Sequence, residues 1–136
     1  MRTDLSPAQY RELAEFRQQL QSFLRCWHRA ANHLGLQAKE YDLMLIVGGS
    51  GRGTEIDIPE VGRRMLTYGH DIAKFVGRLE KRKFLCRYRR PRSRRVLLRI
   101  TPTGEAVLRK LISRTLNDLL TVGPSLENAL VRITGK

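Results

Sequence analysis

The sequence of 136 residues has little cysteine, only Cys26 and Cys86, which are far apart and match no paired metal-ligand spacing. That excludes a disulfide scaffold and a zinc ribbon. Long hydrophobic runs are also missing. The longest purely apolar stretch, Leu43 to Val47, falls far short of the ~18 residues a membrane span needs, so no membrane partner is expected. The opening MRTDLSPAQY has no apolar segment behind its charge, so no secretory signal is expected. Acidic residues are scarce: 13 Asp plus Glu stand against 26 Lys plus Arg, a formal net charge of +13 at pH 7. Hydrophobic residues still make up 41%, enough for a core, so the chain is not a disordered basic tail. This length predicts a single folded domain spanning 1–136. A compact cytoplasmic protein with a polyanionic partner is the class that remains.

Catalytic patterns are absent as well. The glycine-rich run Gly48-Gly49-Ser50-Gly51-Arg52-Gly53 lacks the Lys-Ser/Thr ending of a phosphate-cradling loop. His28, His33 and His70 stand with scattered carboxylates in no triad or metal cage. His28 and His33 are five apart, which puts them on different faces of a helix. No enzyme activity, metal or cofactor is expected.

The positive charge is concentrated. Lys81, Arg82, Lys83, Arg87, Arg89, Arg90, Arg92, Arg94 and Arg95 fall within fifteen residues that contain no acid. A solvated helix face would mix signs to gain i,i+4 pairs. So many like charges repel one another, and duplex nucleic acid, whose condensed counterions Arg and Lys displace, is the natural compensating partner.

Ser6-Pro7-Ala8-Gln9 reads as a helix start, with Ser6 as N-cap, Pro7 at the first helical position and Gln9 completing a capping box. Apolar residues at Leu13, Phe16, Leu20, Phe23, Leu24, Trp27, Ala31 and Leu34 make one stripe, and Gly35 is the stop. Such a helix of about 28 residues is roughly 40 Å long. Part of its stripe has no partner within one small chain, which hints at a dimer. A second helix is predicted from Ala38 to Val47, with Tyr41, Met44, Leu45 and Val47 inward, ending in the glycine-rich loop. Ile56 to Ile58 makes a very short strand at most. Pro59 opens a third helix with Val61 and Met65 buried, and Thr67 to Gly69 is a turn. A fourth helix follows from Gly69 to Arg82, with Ile72, Phe75, Val76 and Leu79 apolar.

The period then changes. Leu85 to Arg90 and Arg95 to Thr101 are predicted strands, the second with Val96, Leu98 and Ile100 on one face, joined by a turn at Pro91 to Arg94. A fifth helix begins at Thr101-Pro102 and runs to about Leu120. Gly123-Pro124 breaks it, and Ser125 to Ile133 forms a sixth. Two short helices joined by a tight turn, then a hairpin, make a winged helix-turn-helix. The fold class expected is mainly α with a small β-hairpin. In such modules the second helix of the pair enters the major groove.

The chain resembles the MarR-type transcriptional regulators (multiple antibiotic resistance regulator family) over about residues 15 to 135. The resemblance rests on DIPEVGRRML, GHDIAKFVGRLEKRKFL, the basic hairpin and RITPTGEAVL, taken in that order. Arg78-Leu79-Glu80 is similar to the family's Arg-Leu-Glu at the end of the recognition helix. Ile100-Thr101-Pro102-Thr103-Gly104 is similar to its Leu-Thr-Pro-x-Gly after the wing, and Leu36 to Leu43 to its second-helix entrance. Two departures stand out. Ser93 occupies the position of an Asp that in the family helps hold the wing, two residues before the tip arginine, here Arg95. Lys83 stands where the family often has Gly.

The resemblance implies a homodimer built from long terminal helices, residues 6–35 and 103–136, with Leu108, Leu111, Ile112, Leu116, Leu119 and Leu120 on an apolar face. The winged helix-turn-helix would occupy 37–101. Two recognition helices would then lie roughly 34 Å apart and read a pseudo-palindrome in double-stranded DNA. The expected contacts on the recognition helix are Tyr68, His70, Asp71, Lys74 and Arg78. Lys74 and Arg78 suit guanine edges or phosphates. Asp71 accepts from cytosine, orients His70, or stabilises the first turn through the helix dipole. On the wing, Arg92, Arg94 and Arg95 are candidates for a narrow minor groove, and Arg87, Arg89 and Arg90 for phosphates. Arg63 and Arg64 on the third helix are candidate backbone contacts. Family members often respond to a small aromatic or anionic effector, for which Trp27, His28, Arg29 and Tyr41 are the candidate pocket. Some sense oxidants, for which Cys26, beside Arg25 and His28, is the candidate thiol. The function expected is a sequence-specific regulator, a repressor. The alternatives are an architectural DNA-binding or RNA-binding winged helix, predicting little sequence preference, and an adaptor whose winged helix contacts protein.

Overall fold

A computed structural model describes residues 4–50 and 55–135. In chain order the elements are α1 (Pro7–His33), α2 (Ala38–Gly49), β1 (Ile56–Asp57), α3 (Ile58–Met65), α4 (Gly69–Lys81), β2 (Leu85–Tyr88), β3 (Leu97–Ile100) and α5 (Pro102–Thr134). Residues 51–53 of the glycine-rich run lie outside the described residues. Among the described residues no helix is long and apolar enough to cross a membrane.

The chain forms two compact units, one from residues 1–30 and 113–136, the other from residues 31–112. In the first unit α1 starts as its sequence dictates. The Ser6 amide donates to Gln9 Oε1 at 2.7 Å and the Gln9 amide to Ser6 Oγ at 3.3 Å, so the capping box satisfies two amides that the helix itself leaves without acceptors. The α1 stripe is only partly covered: Phe16, Leu20, Phe23 and Trp27 are half-buried, whereas Tyr10, Leu13 and Leu24 are exposed. On α5, Leu116, Leu120 and Leu130 are exposed too.

α5 corrects the expectation of a break at Gly123-Pro124 and a separate sixth helix. It runs unbroken through Pro124. An interior proline removes one backbone hydrogen bond and crowds the preceding residue. Gly123 has no Cβ to meet the proline ring, which lowers that crowding, and the helix continues.

The second unit holds the core. Leu36, Tyr41, Leu43, Met44, Ile72, Val76 and Leu79 are essentially inaccessible. Leu43, rather than the expected Leu45, faces inward from α2. Gly35, at φ 74, ends α1 as expected, in a left-handed conformation that glycine adopts without strain. Ile58 begins α3, so the short strand stops at Asp57.

The sheet has the order β1-β3-β2, antiparallel throughout, with Ile56 opposite Leu98 and Leu85 opposite Ile100. The hairpin is therefore a three-stranded sheet with β3 in the centre. This corrects the expected alternation on β3: Leu97 and Leu98 are both buried, and Val96 lies outside the strand. Both faces of β3 are covered at these two residues, which removes the alternation that one-sided burial would impose.

α5 is docked by its first turn. Thr101 Oγ1 accepts from the Gly104 amide at 3.0 Å and donates to the Lys83 carbonyl at 2.5 Å. A Cβ at Gly104 would stand 2.0 Å from the Phe84 carbonyl oxygen, so only glycine permits this approach.

Candidate nucleic-acid interface

Helix α3, the turn, α4 and the hairpin all belong to the second unit. α3 is started by Asp57, whose carboxylate accepts from the Glu60 amide at 2.9 Å, with proline in the first turn. Leu66 ends it in a left-handed conformation, φ 54, and its amide bonds to the Arg63 and Gly62 carbonyls. That single residue turns the chain tightly enough for α4 to begin at Gly69.

α4 buries Ile72, Val76 and Leu79. The spacing of three and four leaves Tyr68, His70, Lys74 and Arg78 exposed, as expected of a helix that presents its outer face to a partner. The Tyr68 and His70 rings stack with centroids 6.2 Å apart and planes at 13°. His70 Nε2 lies 3.4 Å from Asp71 Oδ1, so of the roles expected for Asp71 the geometry places it beside His70, in the first turn of α4.

The wing turns at Arg90 to Ser93. The Ser93 amide donates to the Arg90 carbonyl at 3.1 Å, Pro91 follows Arg90, and Arg92 has φ 64. Proline second and a positive φ third are the pattern of a type II turn, whose third position favours glycine. Lys83, at φ 63, likewise holds a left-handed position at the wing's entry.

The nine clustered cations divide into two sets. Arg87 Nε bonds to Glu80 Oε1 at 2.9 Å, Arg90 Nε to Glu55 Oε2, and Arg95 Nε to Asp57 Oδ2 at 2.8 Å. Arg82 donates to the Gly35 and Leu34 carbonyls at 2.9 and 3.2 Å and stacks over the Phe84 ring at 4.6 Å. These four arginines build the unit. Lys81, Lys83, Arg89, Arg92 and Arg94 are exposed and make no ion pair among the described residues. Arg63 and Arg64 are exposed on α3, and both bond to Glu60.

The wing thus has a brace, although Ser93 replaces the carboxylate that the resemblance led us to look for. Ser93 Oγ accepts from the Arg95 amide at 3.2 Å, and the carboxylates come from Glu55 and Asp57 beside the sheet. Asp57 both caps α3 and holds the wing, and its side chain is only 17% exposed. The Arg95 hydrogen bond and then the Glu60 amide hold its carboxyl below the usual range, against the opposing effect of burial. Arg95 is raised in turn by Asp57. Glu60 is lowered by its hydrogen bonds from Arg63 and Arg64. On the hairpin, Arg99 Nε bonds to Cys86 Sγ at 3.3 Å and its guanidinium lies 4.9 Å from the Tyr88 ring centroid.

Sequence reasoning missed the acidic partners. The signal was there, since Glu55, Asp57 and Glu60 form a small acidic group and Glu80 directly precedes the basic run. The candidate effector residues fall in both units. Trp27 is half-buried edge-on to Phe23, at 6.2 Å, while His28 and Arg29 are exposed. Tyr41, 1% exposed, sits in the core of the second unit. Cys26 is half-buried and is a free thiol. Among the described residues no group of three His, Cys, Asp or Glu stands together to hold a metal ion.

No family model and no curated protein matches the chain. Solved structures do. MepR, a transcription regulator of the Staphylococcus aureus multidrug efflux pump MepA, superposes with a TM-score of 0.74 at 14% identity, covering 88% of this chain and 89% of that one. A mutant of S. aureus MepR bound to an oligodeoxyribonucleotide gives 0.69 at 15% identity, over 96% of this chain and 94% of that one. The multiple antibiotic-resistance repressor MarR from Listeria monocytogenes gives 0.67 at 14% identity, over 98% and 94%. The likeness is one of fold: mainly helical, with the winged helix-turn-helix that these regulators carry.

Proposed function

We propose that this chain is a sequence-reading regulator of transcription that binds double-stranded DNA as a homodimer. The observation that carries the reading is the exposed face of α4, with Tyr68, His70, Lys74 and Arg78, set in the same compact unit as a wing bearing the unpaired Arg89, Arg92 and Arg94. A helix of this kind reads base edges in the major groove, and the wing arginines follow phosphates or enter a narrow minor groove. Further support comes from the DNA-bound state of the MepR mutant, which shares the fold.

The homodimer is supported by the apolar surface left on the first unit, at Tyr10, Leu13, Leu24, Leu116, Leu120 and Leu130. A second copy covers it and sets two recognition helices on one pseudo-palindromic operator. Repression from that operator, release by a small aromatic or anionic effector at Trp27, His28 and Arg29, and a cytoplasmic, non-enzymatic role complete the proposal.

Fluorescence anisotropy on the duplex upstream of the chain's own gene, against a scrambled duplex and across a salt series, tests it. A preference of at least ~1000-fold is the expected result. Equal, salt-sensitive binding to both duplexes overturns the operator-reading role in favour of an architectural or RNA-binding one.

A further inference from the structure

The turn before α4 carries two large apolar side chains where local physics favours others. Leu66 adopts φ 54 and is 92% exposed. Glycine or asparagine takes that backbone conformation at less cost, and a leucine so exposed contributes nothing to the core. Tyr68 is the N-cap of α4, is 78% exposed and makes no side-chain cap hydrogen bond. Serine, threonine or aspartate would cap the helix there. Both residues line one open apolar cleft with Ile58 and Pro59 from α3. Arg63 lines the same cleft, and His70 and Lys74 are exposed on the next turns of the recognition helix.

We infer that Leu66 and Tyr68 form an apolar contact for thymine C5-methyl groups in the major groove. The inference rests on the duplex-DNA reading above and names what that site selects. Among major-groove edges only thymine presents an apolar group, and all others offer donors and acceptors. Arg63 at the cleft and Lys74 further along α4 suit a polyanion rather than an apolar protein face, and the patch is continuous with the helix proposed to enter the groove. Leu66 and Tyr68 therefore bias binding toward thymine at the steps facing the N-terminal end of α4.

Two duplexes that differ only in the methyl test this: the duplex upstream of the chain's own gene, and the same duplex with uracil in place of every thymine. The wild-type chain is expected to bind the thymine duplex tighter, by about fourfold for each methyl it buries. Leu66→Gly and Tyr68→Ser suit their backbone positions, so their melting temperatures stay the same or rise. In both, the thymine-to-uracil ratio is expected to fall toward one. A wild-type ratio of one, or a ratio unchanged in both variants, overturns the thymine contact while leaving DNA binding intact. A chain that binds neither duplex at moderate salt overturns the DNA reading, and this inference with it.

Discussion

Among the described residues Arg89, Arg92 and Arg94 on the wing make no ion pair, whereas Arg90 and Arg95 are tied to Glu55 and Asp57. If the fold itself sets this division, the two sets behave differently on DNA. The perturbation is a triple variant, Arg89→Gln, Arg92→Gln and Arg94→Gln, beside a double variant, Arg90→Gln and Arg95→Gln. Glutamine keeps most of the side chain's length and leaves the left-handed backbone of Arg92 as strained as before. Each phosphate neutralised contributes about 0.9 to the slope of log K against log salt. Three free arginines therefore account for about 2.7 in slope for each bound chain. Between about 50 and about 200 mM salt the wild type should lose roughly 40-fold more affinity than the triple variant per bound chain, or roughly 1,800-fold more for a homodimer with both wings engaged.

The double variant removes braces rather than phosphate contacts. Its slope should change little, while its melting temperature falls modestly, because solvent-screened ion pairs are lost. Anisotropy titrations at several salt concentrations give the slopes, and thermal melts give the stabilities. Equal slope losses in the two variants would refute the reasoning. They would mean that Arg90 and Arg95 leave their carboxylates for phosphates when DNA arrives.

Two further predictions concern how the interface is held. Gly104→Ala drives a Cβ into the Phe84 backbone, which cannot move aside as a flexible side chain can. A loss toward or beyond the upper end of the ~1–3 kcal/mol range for overpacking is expected in urea unfolding. The second concerns acid. The carboxyl of Asp57 is held below its ordinary value of 3.8, so the stability it gives is present above that value and lost as pH falls through the folded-state pKa. Glu60 shifts in the same direction. Between pH ~5 and ~8 the Asp57 carboxylate stays ionised and contributes no slope, and its share of the acid loss begins below about pH 4. Asp57→Asn should flatten that acid limb in urea melts followed against pH, while Asp57→Ala also loses the cap of α3, at about 1 kcal/mol. An acid limb unchanged in Asp57→Asn would show that the carboxylate is not the brace described.

Local signals in the sequence were largely legible. The Ser6–Gln9 capping box, the stop at Gly35 and the three-and-four spacing on α4 each depend on residues a few positions apart, so composition and period suffice. The wing turn follows from Pro91 in the same way. Pro124 shows the limit of such rules: with Gly123 before it the proline ring meets less crowding, and α5 continues where a proline would ordinarily signal a break. The double burial of Leu97 and Leu98 was not legible because β1 joins the sheet from far earlier in the chain, with Ile56 opposite Leu98 and Asp57 opposite Leu97. The site divides similarly. Its cationic character and its helix were legible, but which arginines are free was not. The pairs Arg95 with Asp57 and Arg90 with Glu55 span 38 and 35 residues, and only the folded sheet brings them together.

Among the described residues the non-glycine positions with positive φ are Leu66, Lys83 and Arg92. They sit at the turn before α4, at the entry to the wing and at its tip. Each costs about 1–2 kcal/mol relative to a residue free to adopt that conformation. Together that is a considerable fraction of the ~5–15 kcal/mol by which a domain is stable. All three side chains are exposed, so none returns that cost through core packing. Strained positions of this kind cluster at ligand-contacting and switch sites. The three positions flank the exposed face of α4 and the free arginines of the wing along the chain. A leucine and two cations, held where glycine would be easier, match what a duplex offers: an apolar methyl in the major groove and phosphates beside it.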